Sequence, residues 1–397
     1  MADLHAVVQR HLEQRGMSLR ALAKAVHHDA SYLSKVLRGL KPCGPRLARD
    51  IDAALAAGGE IVQAAARGDL AEGGRAGTGK AVDVMTWITA TNASDDAIAE
   101  LAWGAEYLAE VHGRTPARKV LPEVLGVHQA AYALLRGGRQ RLAQTRDLLR
   151  IDSALLAHAC LLLGDLGRYE QAREYGSAAL LCAQETATDE GPAWTAMAKT
   201  ARWQDRFAEA AGLAARGFEA SGRAPVRAEL AYREANAIAL FGDAPRARAA
   251  LEKAGRAAEG LNDDGTSAWS FSRGRQAIFT LSVCVHVGDP DGALRTAQEA
   301  DAYWDAGGGK VAATWAQVRA GAAMAHLLKD SLDGAAGELG PVLELPPDQR
   351  ISTVTGYLDE ISGMIGARRF AGSPLAVQLG DRIREFTAAA VTATTGP

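Results

Sequence analysis

The sequence predicts an all-α protein, with a small N-terminal bundle of short helices followed by a longer array of helix pairs. Three observations lead to this expectation. The chain is rich in alanine and only 6% aromatic, a composition that favours closely packed helices. Apolar residues recur at helical spacing through most of the chain. A local turn pattern also returns five times between residues 167 and 335, which is typical of repeat architectures.

The bulk composition sets limits on the class of protein. The chain has 397 residues, enough for about two or three domains. Its 48% hydrophobic and 23% charged residues exclude a wholly disordered chain. No apolar run reaches the length of a membrane span, and the N-terminus lacks a signal-peptide pattern. Because the four cysteines are far apart and form no CxxC pair, we expect a reduced, cytoplasmic protein without disulfides or structural zinc.

Positive charge is concentrated at the N-terminus. Residues 1–49 contain nine Lys or Arg and three acidic residues, a balance of +6. The whole chain carries −3, which leaves −9 for the remainder. A small basic segment on a larger acidic body predicts that the basic segment contacts a polyanion.

Four short helices are predicted within residues 1–66. Gly16 ends the first, Ser18 and Asp29 are suitable N-caps for the second and third, and Pro45 suits the first turn of the fourth. His27 and His28 form the turn between the second and third; a role as metal ligands lacks partners at ligand spacing. The predicted inward faces are Leu4, Val7, Val8 and Leu12; Leu19, Leu22, Ala23 and Val26; Leu33, Val36 and Leu37; and Leu47, Ile51, Ala54 and Leu55.

The second and third helices, joined by a short turn, form a predicted helix-turn-helix. In this arrangement the later helix enters the major groove of DNA. Ser31 and Tyr32 can exchange hydrogen bonds with base edges, and Ala30 can touch a thymine methyl group. Basic side chains around the helix would contact phosphates, which adds affinity without sequence information. The candidate DNA-binding residues are Arg20, Ala30, Ser31, Tyr32, Ser34, Lys35, Arg38 and Lys41.

Residues 17–23 and 29–39 resemble the XRE-type helix-turn-helix family. Residues 31–39, with Pro42 and the later 58–60, are similar to the heads of large actinobacterial regulators. The resemblance covers about residues 3–62 and implies sequence-specific binding of double-stranded DNA. Leu19 stands where many XRE proteins have a DNA-contacting Gln, so direct readout would depend more on the third helix. The alternative is a small bundle that has lost DNA binding and serves protein contacts.

Residues 67–82 form a predicted glycine-rich linker. Gly74, Gly79 and Lys80 nearly complete a phosphate-binding loop, but Ala81 replaces the Ser or Thr that would hold Mg²⁺. No strand is predicted before it. A nucleotide-driven switch would require ATP binding through Lys80, and we expect no cofactor.

The five recurring turns close on alanines that are 38, 37, 46 and 42 residues apart: Ala172, Ala210, Ala247, Ala293 and Ala335. Twelve residues before these anchors stand Cys160, Ala198, Ala235, Leu281 and Ala323, and seven after stand Ala179, Gly217, Ala254, Ala300 and Val342. Most are small, as close helix packing requires. The pattern resembles the tetratricopeptide repeat (TPR) over about residues 152–348. It implies an α-solenoid of TPR-like pairs over residues 151–388. A helical connecting region over residues 83–150 and a flexible tail over 389–397 complete the expected organisation.

A TPR stack implies a concave groove that binds peptides. Peptide-binding TPRs often have an Asn eleven residues before the anchor alanine, and only Asn236 matches. With Lys199 it would hold a peptide carboxylate or a small anion; alternatively both are solvated surface residues. Trp203, which follows Arg202 in a turn, is the best candidate for an exposed aromatic contact, although packing is the commoner role of a repeat tryptophan. The candidate groove residues are therefore Lys199, Arg202, Trp203 and Asn236.

No catalytic or paired metal-ligand motif appears, and we expect no enzymatic activity. The sequence favours a cytoplasmic transcriptional regulator that binds DNA as a homodimer. Its TPR-like domain would sense a peptide, a small molecule or a protein partner. The alternative is a TPR adaptor that acts through protein contacts and keeps a vestigial helix-turn-helix.

Overall fold

The computed structural model describes residues 4–38, 40–41, 43–65, 84–262, 265–346, 349–350 and 352–395. These residues are helical or irregular, with no strand among them, which confirms the all-α class. Contacts divide the chain into an N-terminal unit, Met1–Ala90, and a C-terminal unit, Thr91–Pro397. No helix in the described ranges combines the length and apolar character needed to cross a membrane.

The described residues of the N-terminal unit form six short helices. They are α1 (Leu4–Gln14), α2 (Leu19–Ala25), α3 (Ala30–Leu37), α4 (Pro45–Ala54), α5 (60–65) and α6 (84–89). The predicted caps are present: the Ser18 hydroxyl accepts from the Ala21 amide, and the Asp29 carboxylate accepts from the amides of Ser31 and Tyr32. Satisfying these otherwise unpaired amides fixes where α2 and α3 begin.

The core of the N-terminal unit follows the predicted inward faces. Val8, Leu22, Leu33 and Ile51 are fully buried. Of the predicted core residues, only Leu4, Leu19 and Ala54 remain half-buried. Burying these faces leaves the opposite sides of α2 and α3 in solvent.

The C-terminal unit contains fourteen helices in its described part. They are α7 (Asp95–Val111), α8 (Ala117–Gly137), α9 (Leu142–Asp165), α10 (Tyr169–Thr186), α11 (Gly191–Trp203), α12 (Phe207–Ala220), α13 (Ala224–Phe241), α14 (Ala244–Ala258), α15 (Arg273–His286), α16 (Pro290–Asp305), α17 (Ala312–Leu328), α18 (Leu332–Leu343), α19 (Ser352–Ile365) and α20 (Pro374–Thr395). From α9 onward they form consecutive pairs, and within each pair the two helices pack together.

The recurring turn lies between the two helices of each of the first five pairs. Each turn has one residue with positive φ, five positions before the anchor alanine: Gly167, Asp205, Gly242, Gly288 and Asp330. A left-handed residue at this position ends the first helix and reverses the chain. Glycine adopts this conformation at little cost, and Asp is among the few other residues that tolerate it.

The three registers identified in the sequence are all buried. Every anchor alanine is at most 2% exposed, and the residues twelve before and seven after are buried as well. Gly217 shows why small residues are needed, because a Cβ there would lie 2.5 Å from the Trp194 Cβ. The first helix of each pair also contacts the first helix of the next pair, so these first helices form one layer.

Several predicted boundaries differ from the structure. The predicted boundary at residue 150 falls inside α9, which begins at Leu142, and α6, placed in the connecting region by the sequence, groups with the N-terminal unit. The predicted tail at 389–397 is helical through Thr395 because alanines continue α20. The linker at 67–82, including Lys80, lies outside the described residues.

Candidate functional site

The candidate DNA-binding residues lie on and beside α3. Arg20, Ser31, Lys35, Arg38 and Lys41 are exposed. Ala30, Tyr32 and Ser34 are half-buried. Lys35 follows Ser31 by four residues, and Arg38 follows Lys35 by three. At this helical spacing the three side chains share one face of α3 and its C-terminal end. In the described part of the chain, none of the four basic candidates forms an ion pair with a carboxylate.

Tyr32 is held by two neighbours. His28 stacks on its ring with centroids 5.4 Å apart, and the Lys41 ammonium lies 5.2 Å from the ring centroid. The stack and the cation–π contact fix the direction of the phenol. The sequence assigned His28 only to a turn, so its contact with Tyr32 was missed. Its position just before the N-cap Asp29 was the only available signal.

Ser34 is less outward than the sequence predicts. It lines a hollow together with Leu12 and Leu19, residues of α1 and α2. Its carbonyl accepts a hydrogen bond from Arg38 Nε at 3.2 Å. This contact orients the Arg38 guanidinium along α3, while Ser34 itself is half-buried.

A cavity of about 490 Å³ lies within the C-terminal unit. The first helices of all six pairs contribute to its wall, together with residues of the connecting segments: 112–113, 115–116, 265–268 and 310–311. All four candidate groove residues, Lys199, Arg202, Trp203 and Asn236, line it. The structure therefore brings together residues that the sequence selected from α11 and α13.

Lys199 and Asn236 are not solvated surface residues. The Lys199 ammonium lies 2.7 and 2.9 Å from the two oxygens of Asp165, and its side chain is 15% exposed. Burial lowers the pKa of Lys199, and Asp165 opposes that effect. Asn236 is 3% exposed; its amide oxygen accepts from Arg202 Nε at 3.1 Å, and its amide nitrogen donates to the Ser282 hydroxyl at 2.7 Å. The direct neighbour of Asn236 is thus Arg202.

Two arginines share one carboxylate in the cavity wall. Glu229 Oε1 accepts from Arg233 Nε at 3.1 Å, from Arg233 Nη2 at 2.5 Å and from Arg275 Nη2 at 2.7 Å. Glu229 is completely buried and Arg233 is 9% exposed. Burial lowers the pKa of Arg233, Glu229 opposes this, and Arg275 lowers it further. This triad was not predicted from the sequence, although Glu229 and Arg233 have the i, i+4 spacing of a helical ion pair.

A pair of neutral histidines lies at the same cavity. His112 Nδ1 and His158 Nε2 are 3.0 Å apart, and His112 lines the wall. Burial lowers the pKa of each to about 3, helped by Lys199. Within the described ranges, no third His, Cys, Asp or Glu completes a metal-binding group with them. One ring nitrogen therefore donates a hydrogen bond to the other.

The remaining aromatic and sulfur groups have mixed roles. Trp203 is half-buried on the cavity wall, and the Arg202 guanidinium lies 4.7 Å from its ring centroid. Trp194 and Trp304 are buried in packing clusters. Burial raises the pKa of the Cys160 thiol to about 12, which disfavours the reactive thiolate.

Neither the comparison with protein-family models nor the comparison with curated proteins gives a match for this chain.

Proposed function

We propose that this chain is an XRE-type transcriptional regulator that binds double-stranded DNA as a homodimer. Its TPR-like helix pairs form a solenoid that binds an effector and alters DNA affinity. Coupling of this kind requires an effector with different affinities for two conformations.

One observation carries the DNA-binding half of the proposal. The capped helix α3 follows α2 after a short turn and exposes Ser31, Lys35 and Arg38 on one face. A helix that presents polar and basic side chains along one exposed face can read base edges in the major groove. Arg20 and Lys41 are exposed nearby in sequence and supply phosphate contacts.

The effector-binding half rests on the cavity in the C-terminal unit. Its volume of about 490 Å³ falls within the range of small-molecule sites, roughly 300 to 1,000 Å³. Its wall is built from successive first helices, so an effector there contacts several pairs at once. Relative movement of these pairs is the physical route by which binding would change the rest of the molecule.

The first experiment is selection of fragmented genomic DNA by the purified chain, followed by sequencing. The regulator proposal expects a few enriched sites, especially inverted repeats, because a homodimer has two equivalent reading heads. On an enriched site, Lys35→Ala is expected to weaken binding by about tenfold. Arg38→Ala is expected to act mainly through a lost charge, reducing the dependence of log affinity on log salt by about 1.

Lys329→Ala provides a matched control. Lys329 is an exposed lysine of the C-terminal unit that pairs with Asp291, so its removal changes net charge without touching α3. Its DNA affinity and salt dependence should equal those of the unmodified chain. If Lys35→Ala and Arg38→Ala also leave both quantities unchanged, α3 is not the reading helix.

An adaptor is the second candidate function, and α6 favours it. Val84, Met85, Trp87 and Ile88 are each more than half exposed there, and clustered exposed apolar residues are typical of protein contacts. An adaptor would retain a partner protein, and α6 substitutions such as Trp87→Ser would abolish retention. It would show only weak, uniform DNA binding that disappears with added salt.

A further inference from the structure

The charges around the cavity do not balance. Its wall contains five cationic side chains and two carboxylates in the described residues: Lys199, Arg202, Arg233, Arg275 and Lys310 against Asp165 and Glu229. Asp165 neutralises Lys199, and Glu229 is shared by two arginines. Arg202 and Lys310 make no ion pair within the described part of the chain. The cavity therefore has a surplus of three positive charges, which attracts an anion.

Arg202 and Trp203 have hydrogen-bond donors at the cavity that lack an acceptor among the described residues. Arg202 Nε donates a hydrogen bond to the Asn236 amide oxygen. The two terminal nitrogens of Arg202 have no acceptor in the described ranges. Trp203 Nε1 is buried and also lacks a partner among those residues. A guanidinium presents paired N–H groups that match the two oxygens of a carboxylate or phosphate. The contact with Asn236 fixes the guanidinium, so less freedom is lost when an anion binds.

Buried acceptors indicate a second polar group on the ligand. Glu229 is 0% exposed and its Oε2 has no hydrogen-bond partner in the described part of the chain, although its Oε1 has three. Thr195 is 1% exposed, and its hydroxyl is likewise unpartnered among described residues. Both residues line the cavity. A buried acceptor is costly to leave unpaired, and a ligand hydroxyl satisfies it.

Apolar side chains complete the wall between these polar groups. Leu161, Ile278 and Phe279 line the cavity, and the Trp203 ring adds a flat face. We propose that the cavity binds a small organic oxyanion, a carboxylate or a phosphate ester, with an apolar body and a hydroxyl group. The oxyanion accepts from Arg202 and Trp203, and the hydroxyl donates to Glu229. This inference deepens the effector-binding half of the proposed function.

The test is isothermal titration calorimetry of the full chain without DNA. Three aromatic probes have one hydroxyl each: 4-hydroxyphenylacetate, 4-hydroxyphenyl phosphate and the neutral 4-hydroxyphenylacetamide. At least one anion is expected to bind with a Kd of about 1 mM or below, and at least about tenfold more tightly than the amide. The stronger of the two anions identifies the oxyanion as carboxylate or phosphate.

Variants locate the binding site. Arg202→Gln is expected to weaken the better anion at least about tenfold, and Arg202→Lys less, because lysine keeps the charge but loses the paired geometry. Arg246→Gln is the matched control, since Arg246 is exposed on α14 and away from the cavity wall. Circular dichroism confirms that each variant is folded. Equal binding of acid and amide, an unaffected Arg202→Gln, or no binding of any probe overturns the inference.

Failure of this inference and failure of the regulator proposal are separable. Anion binding that depends on Arg202, in a chain that selects no DNA site, supports the cavity and contradicts the regulator. Selected DNA sites without anion binding support the regulator and contradict the anion-binding cavity. When both hold, saturating anion is expected to change the affinity for the selected site.

Discussion

The exposed face of α3 and the cavity wall use the same basic residue types under opposite conditions. Lys35 and Arg38 on this face, and Arg20 on α2, are exposed and form no ion pair within the described residues. Arg233 is almost fully buried and makes two hydrogen bonds to a buried carboxylate. Water solvates the exposed side chains at little cost. Burial of Arg233 is tolerated only because the Glu229 carboxylate is its partner.

This difference determines what each region can bind. Exposed, unpaired charges act through a field that salt screens within about 8 to 10 Å, which suits reversible contact with a long polyanion. Charges buried in the cavity wall are screened much less, because the protein interior has a lower effective dielectric constant than water. The proposed anion binding therefore needs only a modest cationic surplus there, together with donors such as the Arg202 guanidinium that are already oriented.

Removing the shared carboxylate of the triad has the largest expected effect. Glu229→Gln leaves Arg233 and Arg275 without their common anion inside the protein. Removing one partner of a buried ion pair typically lowers the free energy of unfolding by about 3 to 5 kcal/mol. We therefore expect the free energy of unfolding, measured by urea denaturation, to fall by that amount.

Glu252→Gln supplies the comparison for that measurement. Glu252 is an exposed glutamate on α14, so the same chemical change there should leave the urea midpoint within error. An unchanged midpoint in Glu229→Gln as well would mean that the triad is solvated. The buried-charge side of the comparison would then be wrong.

The fold was more predictable than the site because its signals are local. The left-handed turn residues, such as Gly167 and Asp205, and the buried small residues recur at fixed offsets along the chain, so one sequence reveals them. Lys199 and its partner Asp165 are 34 residues apart, in successive first helices. Arg275 meets Glu229 across 46 residues, through the packing of α15 on α13. Neither pairing has a signature in the local sequence, since it depends on how first helices stack.

Acid is expected to destabilise the cavity region through its histidines. The pKa of both His112 and His158 is about 3 in the folded chain, against about 6.5 when unfolded. Between these values the unfolded chain binds more protons, so the free energy of unfolding falls as pH falls. At pH 5 the loss is about 2 kcal/mol for each histidine that stays neutral.

His286 opposes this trend. Burial disfavours its charged form, but hydrogen bonds to Glu360 and to the Ser282 carbonyl outweigh burial and raise its pKa. The contribution of His286 to the free energy of unfolding is present below pH 6.5. It is lost as pH rises through the pKa that His286 has in the folded chain. Urea denaturation at pH 7 and pH 5 measures the net effect. His158→Gln should weaken the acid loss, while His27→Asn, an exposed site, should retain it; equal pH dependence in both variants would contradict the buried pair.

The smallest expected effect comes from an exposed ion pair in the N-terminal unit. Glu60 Oε2 lies 2.5 Å from Arg10 Nη2 and 3.0 Å from His11 Nε2, and the Glu60 side chain is 54% exposed. A hydrogen bond from His11 and the Arg10 charge lower the pKa of Glu60, yet solvent and salt screen such pairs. Glu60→Gln should therefore leave the thermal midpoint of the N-terminal unit within error at physiological salt. A clear loss that persists in high salt would show that exposed charges here are structural. The contrast between the solvated charges of the N-terminal unit and the partnered, buried triad of the cavity wall would then have to be abandoned.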